Sequence, residues 1–338
     1  MKKVTLAIPI YNVAKYVEHS LLSALNQTYP NIEFLIIDDR GTDNSMEIVR
    51  NVLVTHPRRK DVRIIDHGIN KGLGDTRNTA IDEATGDYIY FMDSDDIITT
   101  DCIEKLMKYM EETPVDFIAS SRVRKSFSGN TIAEDVYKPC IVSDNGALSV
   151  ARFRYVQNVR ILGEVWNKLY NLNFLKQNKI RCLSGVHVED VSFSFQTILA
   201  ARSCRLVPDI TYTYHIYDGQ SFAAFQNNRD RALYLADCFC KIREKDCDIV
   251  KKYHDREEYG ALLSGIYNVT LLHANMVRKA KILTNKDISE IFHKLLIYEE
   301  PFHTVLSLKT NKLKNGLYYF ISNIPVAAQI RFLKLVYK

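Results

Sequence analysis

Strand-like apolar runs alternate with segments of helical periodicity between residues 4 and 92, and this alternation is the strongest constraint on the fold. The predicted strands are Val4 to Ile10, Ile32 to Ile37, Val62 to Ile65 and Tyr88 to Met92. Apolar residues spaced three and four positions apart predict a helix between each pair of successive strands. Helical crossovers join parallel strands, so the pattern predicts an α/β fold with a parallel, doubly wound sheet.

Three carboxylates stand within four residues directly after the fourth predicted strand, at Asp93, Asp95 and Asp96. The carboxyl ends of parallel strands meet at one edge of a sheet, where open α/β folds bind their ligands. Because the three groups repel one another, they favour a bound cation, and carboxylates suit the hard ions Mg²⁺ and Mn²⁺. The alternative is a helix N-terminus, since Asp95 and Asp96 precede Ile97 to Met110, which has the pattern of a helix.

The composition is that of an ordinary globular protein. The chain has 338 residues, which is enough for one large domain or two smaller ones. An apolar fraction of 46% and a charged fraction of 25% exclude disorder as the main state. Its seven cysteines are an odd set without a CxxC pair, which indicates reduced thiols and neither a disulfide framework nor a thiolate zinc site.

A change in the sequence pattern near residue 225 predicts a domain boundary. Residues 227 to 300 are nearly free of Gly and Pro, and their pattern is helical. We therefore predict an α/β domain over residues 1–225 and a C-terminal helical extension over residues 226–338.

The net charge of +5 is concentrated in the last part of the sequence. No acidic residue follows Glu300, whereas six basic residues do, mixed with aromatic and aliphatic side chains. That composition is typical of a helix that lies on an anionic membrane, and nucleic acid is not expected as a partner. We predict contact with a membrane through residues 309–338, and the alternative is a basic helix that forms a homodimer.

A cytoplasmic location is expected from two further features. Pro9 interrupts the first apolar run before it could serve as the core of a signal peptide. No window reaches the roughly 18 to 20 apolar residues that a membrane-spanning helix requires. The protein is therefore expected in the cytoplasm, attached peripherally at the inner face of the cell membrane.

Several segments occur together in a recognisable order. Those ahead of the acidic cluster are residues 4–12 (VTLAIPIYN), 25–30 (LNQTYP), 36–45 (IIDDRGTDNS) and 70–78 (NKGLGDTRN). Those after it are residues 166–170 (WNKLY), 188–193 (VEDVSF) and 212–214 (YTY), with Ser221. Together they resemble the inverting nucleotide-sugar glycosyltransferases of family 2, of the type that builds bacterial surface polysaccharides. The resemblance covers about residues 4 to 222 and implies a GT-A fold, with a Rossmann-like, mainly parallel sheet.

The resemblance implies roles for the residues that meet the donor phosphates. Asp93 and Asp95 resemble the family's DxD pair, in which the first carboxylate approaches the ribose and the second holds Mn²⁺ or Mg²⁺ on the diphosphate. Such a metal would neutralise charge on the departing nucleotide. Arg77 resembles the basic residue that faces the phosphates, and the alternative for it is an arginine on a helix surface.

Other residues resemble those that contact the nucleotide base. Asp39 is expected to pair with a uracil ring, and Pro9 and Tyr11 are expected to lie beside that ring. The alternatives are an Asx-turn for Asp39 and ordinary packing for Tyr11. The sequence departs from the family at Gly74-Asp75, where Ser and a small or variable residue are usual, and at Arg40, where Gly or Asp is commoner.

The resemblance selects Asp190 as the catalytic base of a single-displacement reaction, in which one carboxylate must take the proton of the acceptor hydroxyl. Glu189 is adjacent, and only one of the two can point into the crevice. The alternative is a charged first turn that the helix dipole stabilises. The candidates for the acceptor side are Trp166, Lys168, His187 and Glu189, although a single tryptophan is more often part of a core.

The sequence thus predicts a metal-dependent inverting glycosyltransferase. Its donor would be a UDP-sugar, and its acceptor a saccharide or a lipid-linked saccharide in polysaccharide biosynthesis. One alternative is a sugar-1-phosphate nucleotidyltransferase, although no Gly-rich, basic loop follows the first strand directly. The other is a catalytically silent nucleotide-sugar-binding protein, against which the set of Asp93, Asp95 and Asp190 argues.

Overall fold

The computed structural model describes residues 1–126, 128–144, 146–217 and 227–337. These residues divide into two compact units. The first unit contains the described residues of Met1–Val150, Ile161–Gly185 and Glu189–Tyr217, and the second contains Ala151–Arg160, Val186–Val188 and residues 227–337. The boundary predicted near residue 225 lies outside the described residues, as does Ser221, and the division at that point stays a prediction.

The first unit is built on a ten-stranded mixed sheet. Its strands are β1 (Val4–Ile10), β2 (Ile32–Asp38), β3 (Val62–Asp66), β4 (Tyr88–Phe91), β5 (Ile97–Ile98), β6 (Phe117–Ser126), β7 (Thr131–Asp135), β8 (Cys140–Val142), β9 (Lys168–Asn171) and β10 (Cys204–Ile216). They follow the order β3-β2-β1-β4-β9-β6-β10-β5, while β7 pairs with β6 and β8 pairs with β10.

The four N-terminal strands confirm the predicted parallel arrangement. Strand β1 pairs in parallel with β2 and β4, and β2 pairs in parallel with β3. Every residue of β2 is buried, as expected for a central strand covered on both faces. Because these strands run the same way, the residues that follow Ile10, Asp38, Asp66 and Phe91 lie at one edge of the sheet.

The second half of the sheet is more varied than the sequence pattern suggested. Strand β9 is antiparallel to both β4 and β6, whereas β10 runs parallel to β6 over most of its length. Most paired residues of the whole sheet nevertheless lie in parallel pairs, which confirms a mainly parallel sheet. The sequence analysis predicted neither the long strand β10 nor the short strand β8, although residues 210–216 of β10 (ITYTYHI) alternate between apolar or aromatic and polar side chains.

Helices connect the strands of this unit. They are α1 (Val17–Leu25), α2 (Ser45–Thr55), α3 (Leu73–Glu83), α4 (Cys102–Glu112), a single turn α5 (Ser149–Ala151), α6 (Leu172–Gln177) and α7 (Asp190–Ala200). The 3-10 turn Pro57–Asp61 also belongs to this unit, whereas the π-helical turn Arg152–Val156 belongs to the second unit.

The helix predicted over Ile97 to Met110 is wrong at its start. Residues Ile97 and Ile98 form β5, which pairs antiparallel with β10, and the helix begins only at Cys102. Asp96 does not cap this helix. It is fully buried, and its carboxylate accepts hydrogen bonds from the Tyr212 hydroxyl (2.7 Å) and the His215 backbone N–H (2.9 Å).

Asp96 therefore fastens the loop after β4 to strand β10. Burial, together with the charges of Asp95 and Asp93, raises the pKa of Asp96 well above its usual range.

The second unit is helical and confirms the expected C-terminal helical region. Its helices are α8 (Arg229–Lys251), α9 (Tyr259–Lys279), α10 (Asn285–Leu295), α11 (Phe302–Ser307), α12 (Lys312–Asn323) and α13 (Val326–Val336). Within the described ranges, no helix is both long enough and apolar enough to cross a membrane.

The segment Ala151–Arg160 packs within this helical unit. The Arg152 guanidinium donates two hydrogen bonds to Glu258 (3.1 and 2.5 Å). The Tyr155 ring lies against Gly265 of α9, where a Cβ atom would come within 2.6 Å of the ring. Gly265 thus allows a close approach that any larger residue would prevent.

We predict that Asp96→Ala lowers the free energy of unfolding by about 2–4 kcal/mol, because it leaves a buried hydroxyl and a buried backbone N–H without an acceptor. Asp96→Asn should lower the free energy of unfolding much less, since the amide oxygen can accept from the His215 N–H and the amide NH₂ can donate to the Tyr212 oxygen. The control is Asp101→Ala, which removes a partly exposed ion pair with Lys105 and should cost less than about 1 kcal/mol. Urea denaturation measures all three, and equal losses for Ala and Asn would contradict the assignment.

Candidate active site

Polar residues from the ends of four parallel strands gather at one edge of the sheet. Tyr11 and Asn12 follow β1, and Asn12 adopts a left-handed backbone conformation (φ 51°). The Asn12 side-chain oxygen accepts a hydrogen bond from the Thr42 backbone N–H (2.6 Å), and a Cβ atom at Gly41 would lie 2.8 Å from that oxygen. Asn12 therefore holds together the loops that follow β1 and β2.

Asp39 is buried at the end of β2, and its carboxylate is saturated with hydrogen bonds. One oxygen pairs with His67 Nδ1 (2.8 Å) and accepts from the Lys71 N–H (2.8 Å). The other accepts from Asn70 Nδ2 (2.7 Å) and from the Gly72 N–H (2.9 Å). In this structure Asp39 organises the loop over residues 67–72, and its contact with a uracil ring stays a prediction.

The other two base-side candidates lie within β1 or directly after it. Pro9 is within the strand, opposite Ile37 of β2, and Tyr11 follows the strand with 46% of its surface exposed. An aromatic ring so exposed at the binding edge is available for stacking.

The unusual Arg40 has a structural explanation. It occupies a left-handed backbone conformation (φ 57°), and its guanidinium forms an ion pair with Asp66 at the end of β3. Arg40 therefore joins the ends of β2 and β3.

Arg77 lies at the centre of the site. It is buried in the first turns of α3, and its guanidinium donates to Asp93 Oδ1 (2.8 Å) and to Glu189 Oε1. Burial alone would lower the pKa of Arg77, but the two carboxylates outweigh that effect and raise it. Removing one partner of such a buried pair typically costs about 3–5 kcal/mol. The arginine thus links α3, the end of β4 and the start of α7.

Asp95 carries negative charge without a cationic partner among the described residues. Burial and the charge of Asp93 raise the pKa of Asp95 to about 6, although a hydrogen bond from the Tyr217 hydroxyl (2.7 Å) partly opposes the rise. The Tyr217 ring stacks on Tyr16 with ring centres 4.5 Å apart. Sequence reasoning missed Tyr217, because a tyrosine outside any recognised segment gives no signal.

Asp190 begins α7, immediately after Glu189. Burial raises the pKa of Asp190 above its usual range, and the neighbouring carboxylate of Glu189 raises it further, while Arg77 opposes the rise. Asp93 also contributes, which brings the end of β4 and the start of α7 into one electrostatic environment. A partly buried carboxylate with a raised pKa suits proton transfer near neutral pH.

The acceptor-side candidates lie in different surroundings. Trp166 is buried, with its ring stacked on Tyr212 (4.5 Å) and Tyr214 (5.3 Å). Lys168 is buried and donates to the backbone oxygen of Glu164, and burial lowers the pKa of Lys168. Both side chains are engaged in internal contacts, so their role toward an acceptor stays a prediction.

The remaining two candidates separate as well. Glu189 is paired with Arg77, which favours a positioning role over a direct contact with an acceptor. His187 belongs to the second unit, and its role also stays a prediction.

Gly74 explains the other departure from the family pattern. A Cβ atom at this position of α3 would lie 2.8 Å from the Leu183 backbone oxygen and 3.4 Å from the Glu189 Cβ. Asp75 next to it accepts a hydrogen bond from the Ser184 hydroxyl. The small residue therefore lets α3 approach the chain that leads toward α7.

The fit of a metal ion depends on Asp93 and Asp95. Within the described ranges, no group of three or more His, Cys, Asp or Glu side chains could hold a metal ion. Burial first, and the charge of Asp93 second, raise the pKa of Asp95, and a divalent cation would stabilise its charged form. Mg²⁺ is commonly bound by one or two carboxylates together with substrate phosphates, so this donor set fits an ion that arrives with a diphosphate.

Comparison with known proteins gives consistent results. Residues 5–155 match the family model described as "Glycosyl transferase family 2". An uncharacterized glycosyltransferase of Haemophilus influenzae is 40% identical over 110 residues, which cover 32% of this chain and 43% of the relative. A poly(ribitol-phosphate) beta-glucosyltransferase of Bacillus spizizenii is 28% identical over 216 residues, covering 63% and 32%. The matched segments thus span less than half of each of these two relatives.

A solved structure shows the same fold over nearly the whole chain. Residues 1–349 of TarS from S. aureus superpose with a TM-score of 0.61 at 18% identity, over 95% of this chain and 90% of that fragment. The same fragment has been solved in complex with UDP-GlcNAc, with a TM-score of 0.55 at 18% identity over 95% of this chain and 90% of that chain. At this identity the likeness shows the fold alone, and it confirms the expected GT-A architecture.

We predict that Gly74→Ala destabilises the protein by about 1–3 kcal/mol, because its Cβ would collide with a backbone oxygen that cannot rotate away. The matched control is Gly316→Ala in α12, whose Cβ would meet its nearest neighbour, Val305, at 4.0 Å. That substitution should stabilise the protein by about 0.5–1 kcal/mol through helix propensity. Thermal melting of both variants tests the difference, and a stable Gly74→Ala protein would contradict the close approach.

Proposed function

We propose that this chain, whose residues 5–155 match the model of glycosyl transferase family 2, is a metal-dependent inverting glycosyltransferase. It transfers a sugar from a UDP-sugar to a saccharide or a lipid-linked saccharide. The observation that carries the proposal is the buried Arg77, which joins Asp93 to Glu189 and so brings Asp190 to the acidic end of β4.

In the proposed reaction the acceptor hydroxyl attacks the anomeric carbon from the side opposite to the diphosphate. A bond forms between the acceptor oxygen and that carbon, and the bond from the carbon to the diphosphate oxygen breaks. UDP leaves with the electron pair, and the Asp190 carboxylate takes the proton of the hydroxyl. Burial raises the pKa of Asp190, which makes it a stronger base than an ordinary aspartate.

The donor is proposed to lie along the carboxyl ends of β1, β2 and β4. The exposed Tyr11 ring would stack on the base, and the loop that Asp39 organises would border it. Arg77 is proposed to contact the diphosphate as well. Its buried Nε has no hydrogen-bond partner among the described residues, and a phosphate oxygen would supply one. A TarS fragment of the same fold binds UDP-GlcNAc, which supports a UDP-sugar as the donor class.

Asp95 is proposed to hold Mn²⁺ or Mg²⁺, and Asp93 is proposed to approach the ribose. When bound, such an ion neutralises charge on the leaving diphosphate. The hydrogen bond from Tyr217 would keep the Asp95 carboxylate oriented before the ion arrives.

The acceptor is proposed to belong to polysaccharide biosynthesis. One relative is named for glucosyl transfer to poly(ribitol phosphate), which supports a polymeric acceptor for this chain. We place the enzyme in the cytoplasm, and attachment to the inner face of the membrane through residues 309–338 would bring it to a lipid-linked acceptor.

Substitutions at two carboxylates should separate chemistry from binding. Asp190→Asn should reduce transfer by at least about a hundredfold while UDP affinity stays within about twofold, because only proton removal is lost. Asp95→Asn should instead remove the Mn²⁺-dependent part of UDP affinity. Calorimetric titration with UDP and Mn²⁺ measures the affinity. The transfer assay uses the UDP-sugar that most raises the melting temperature of the protein. Full transfer activity of the Asp190→Asn variant would exclude Asp190 as the catalytic base.

The pH dependence should follow the ionisation of Asp190. Only the ionised carboxylate can take a proton, so kcat/KM should fall about tenfold per pH unit below the raised pKa of Asp190. The decline in kcat/KM should begin at a pH well above the usual pKa of an aspartate, which is about 3.9. Initial rates test this expectation between pH 5 and pH 8, roughly the range in which a carboxylate with a raised pKa titrates. UDP affinity at each pH is the control. A flat profile would contradict the assignment.

A further inference from the structure

The outer face of α12 carries an apolar stripe made of Leu313, Leu317 and Phe320. These residues recur at spacings of four and three, so they lie on one side of the helix. Their exposed fractions are 92%, 45% and 61%. Large apolar side chains on a solvent-facing helix surface normally occur singly, and a continuous row of them indicates a binding surface.

The opposite face of α12 is fixed within the helical unit, so the stripe cannot turn inward. Asn315 is fully buried, and its amide donates to the backbone oxygens of Gly260 (2.7 Å) and Asn311 (2.9 Å). Its side-chain oxygen accepts from the Tyr298 hydroxyl (2.8 Å). These bonds hold the helix in one rotation, with Leu313, Leu317 and Phe320 pointing away from the unit.

The neighbouring helix α11 extends the apolar surface. Phe302 and Leu306 are each about half exposed, and the Phe302 ring lies 5.2 Å from the Tyr319 ring of α12. Together the five side chains define an apolar face: Phe302, Leu306, Leu313, Leu317 and Phe320.

The segment that contains this apolar face is rich in exposed positive charge, and its acidic residues end at Glu300. Among the described residues after Glu300 there is no acidic side chain, and all the basic residues other than His303 are exposed lysines or arginines. They are Lys309, Lys312, Lys314, Arg331 and Lys334. An apolar face in a segment rich in exposed basic residues is typical of proteins that bind the boundary between the headgroups and acyl chains of an anionic lipid layer.

We propose that the apolar face of α11 and α12 inserts into an anionic lipid surface and that the five basic residues bind its headgroups. A second copy of the chain fits less well, because joining two such faces would bring ten positive charges together without a single acidic partner from the same region. The inference deepens the proposed membrane attachment and rests on that part of the proposed function.

The test is co-sedimentation of the full chain with vesicles of phosphatidylcholine alone or with phosphatidylglycerol added at about a third of the lipid (a strongly anionic surface). Binding is expected only to the anionic vesicles and should weaken as salt rises. Replacing Leu313, Leu317 and Phe320 by Ser should weaken binding on the order of a hundredfold. Replacing Lys312 and Lys334 by Ala should weaken it about fivefold for each lysine.

The matched control is Val54→Ser in α2, an apolar residue exposed to 66% in the first unit, which should leave vesicle binding unchanged. Melting temperature and UDP affinity of each variant show whether it is folded. Two results would overturn the inference: equal binding by the triple variant and the unaltered protein, or a dimer in sedimentation velocity that the triple variant converts to a monomer. The vesicle assay contains no sugar donor, so its failure would leave the proposed sugar transfer standing.

Discussion

The buried guanidinium of Arg77 is the interaction on which the site depends. It binds Asp93 at the end of β4 and Glu189 at the start of α7, two segments almost a hundred residues apart in sequence. An arginine suits this task because its planar group offers donors in several directions and stays charged when buried. Gly74 belongs to the same arrangement, since the absence of a Cβ lets α3 come close to the chain before α7.

The site holds more negative charge than its own residues neutralise. Arg77 serves Asp93 and Glu189, whereas burial raises the pKa of Asp95 and of Asp190. An isolated excess of charge of this kind destabilises a fold, and its presence at a sheet edge is typical of a site that binds cations and transfers protons. Asp96 belongs to the same cluster in sequence but has a structural role, because its hydrogen bonds to β10 are fully buried.

The helical unit presents a different physical problem. Helix α12 buries Asn315, Tyr318 and Ile321 on its inner face, and it also leaves two leucines and a phenylalanine exposed on its outer face. A helix on the surface of a soluble protein usually has polar side chains on its outer face. The proposed lipid contact would explain this difference, since a lipid surface accommodates both the apolar side chains and the basic residues.

The sequence by itself determined the four parallel strands, the edge at which their polar residues meet and the resemblance to a glycosyltransferase family, because these depend on local periodicity and short motifs. It did not determine that Asp39 would be saturated by its own loop, that Arg77 would pair with Glu189, or that Tyr217 would reach Asp95. It also placed a helix where β5 pairs with β10. These features depend on contacts between distant segments, and only the tertiary structure decides which donor lies within hydrogen-bonding distance of which carboxylate.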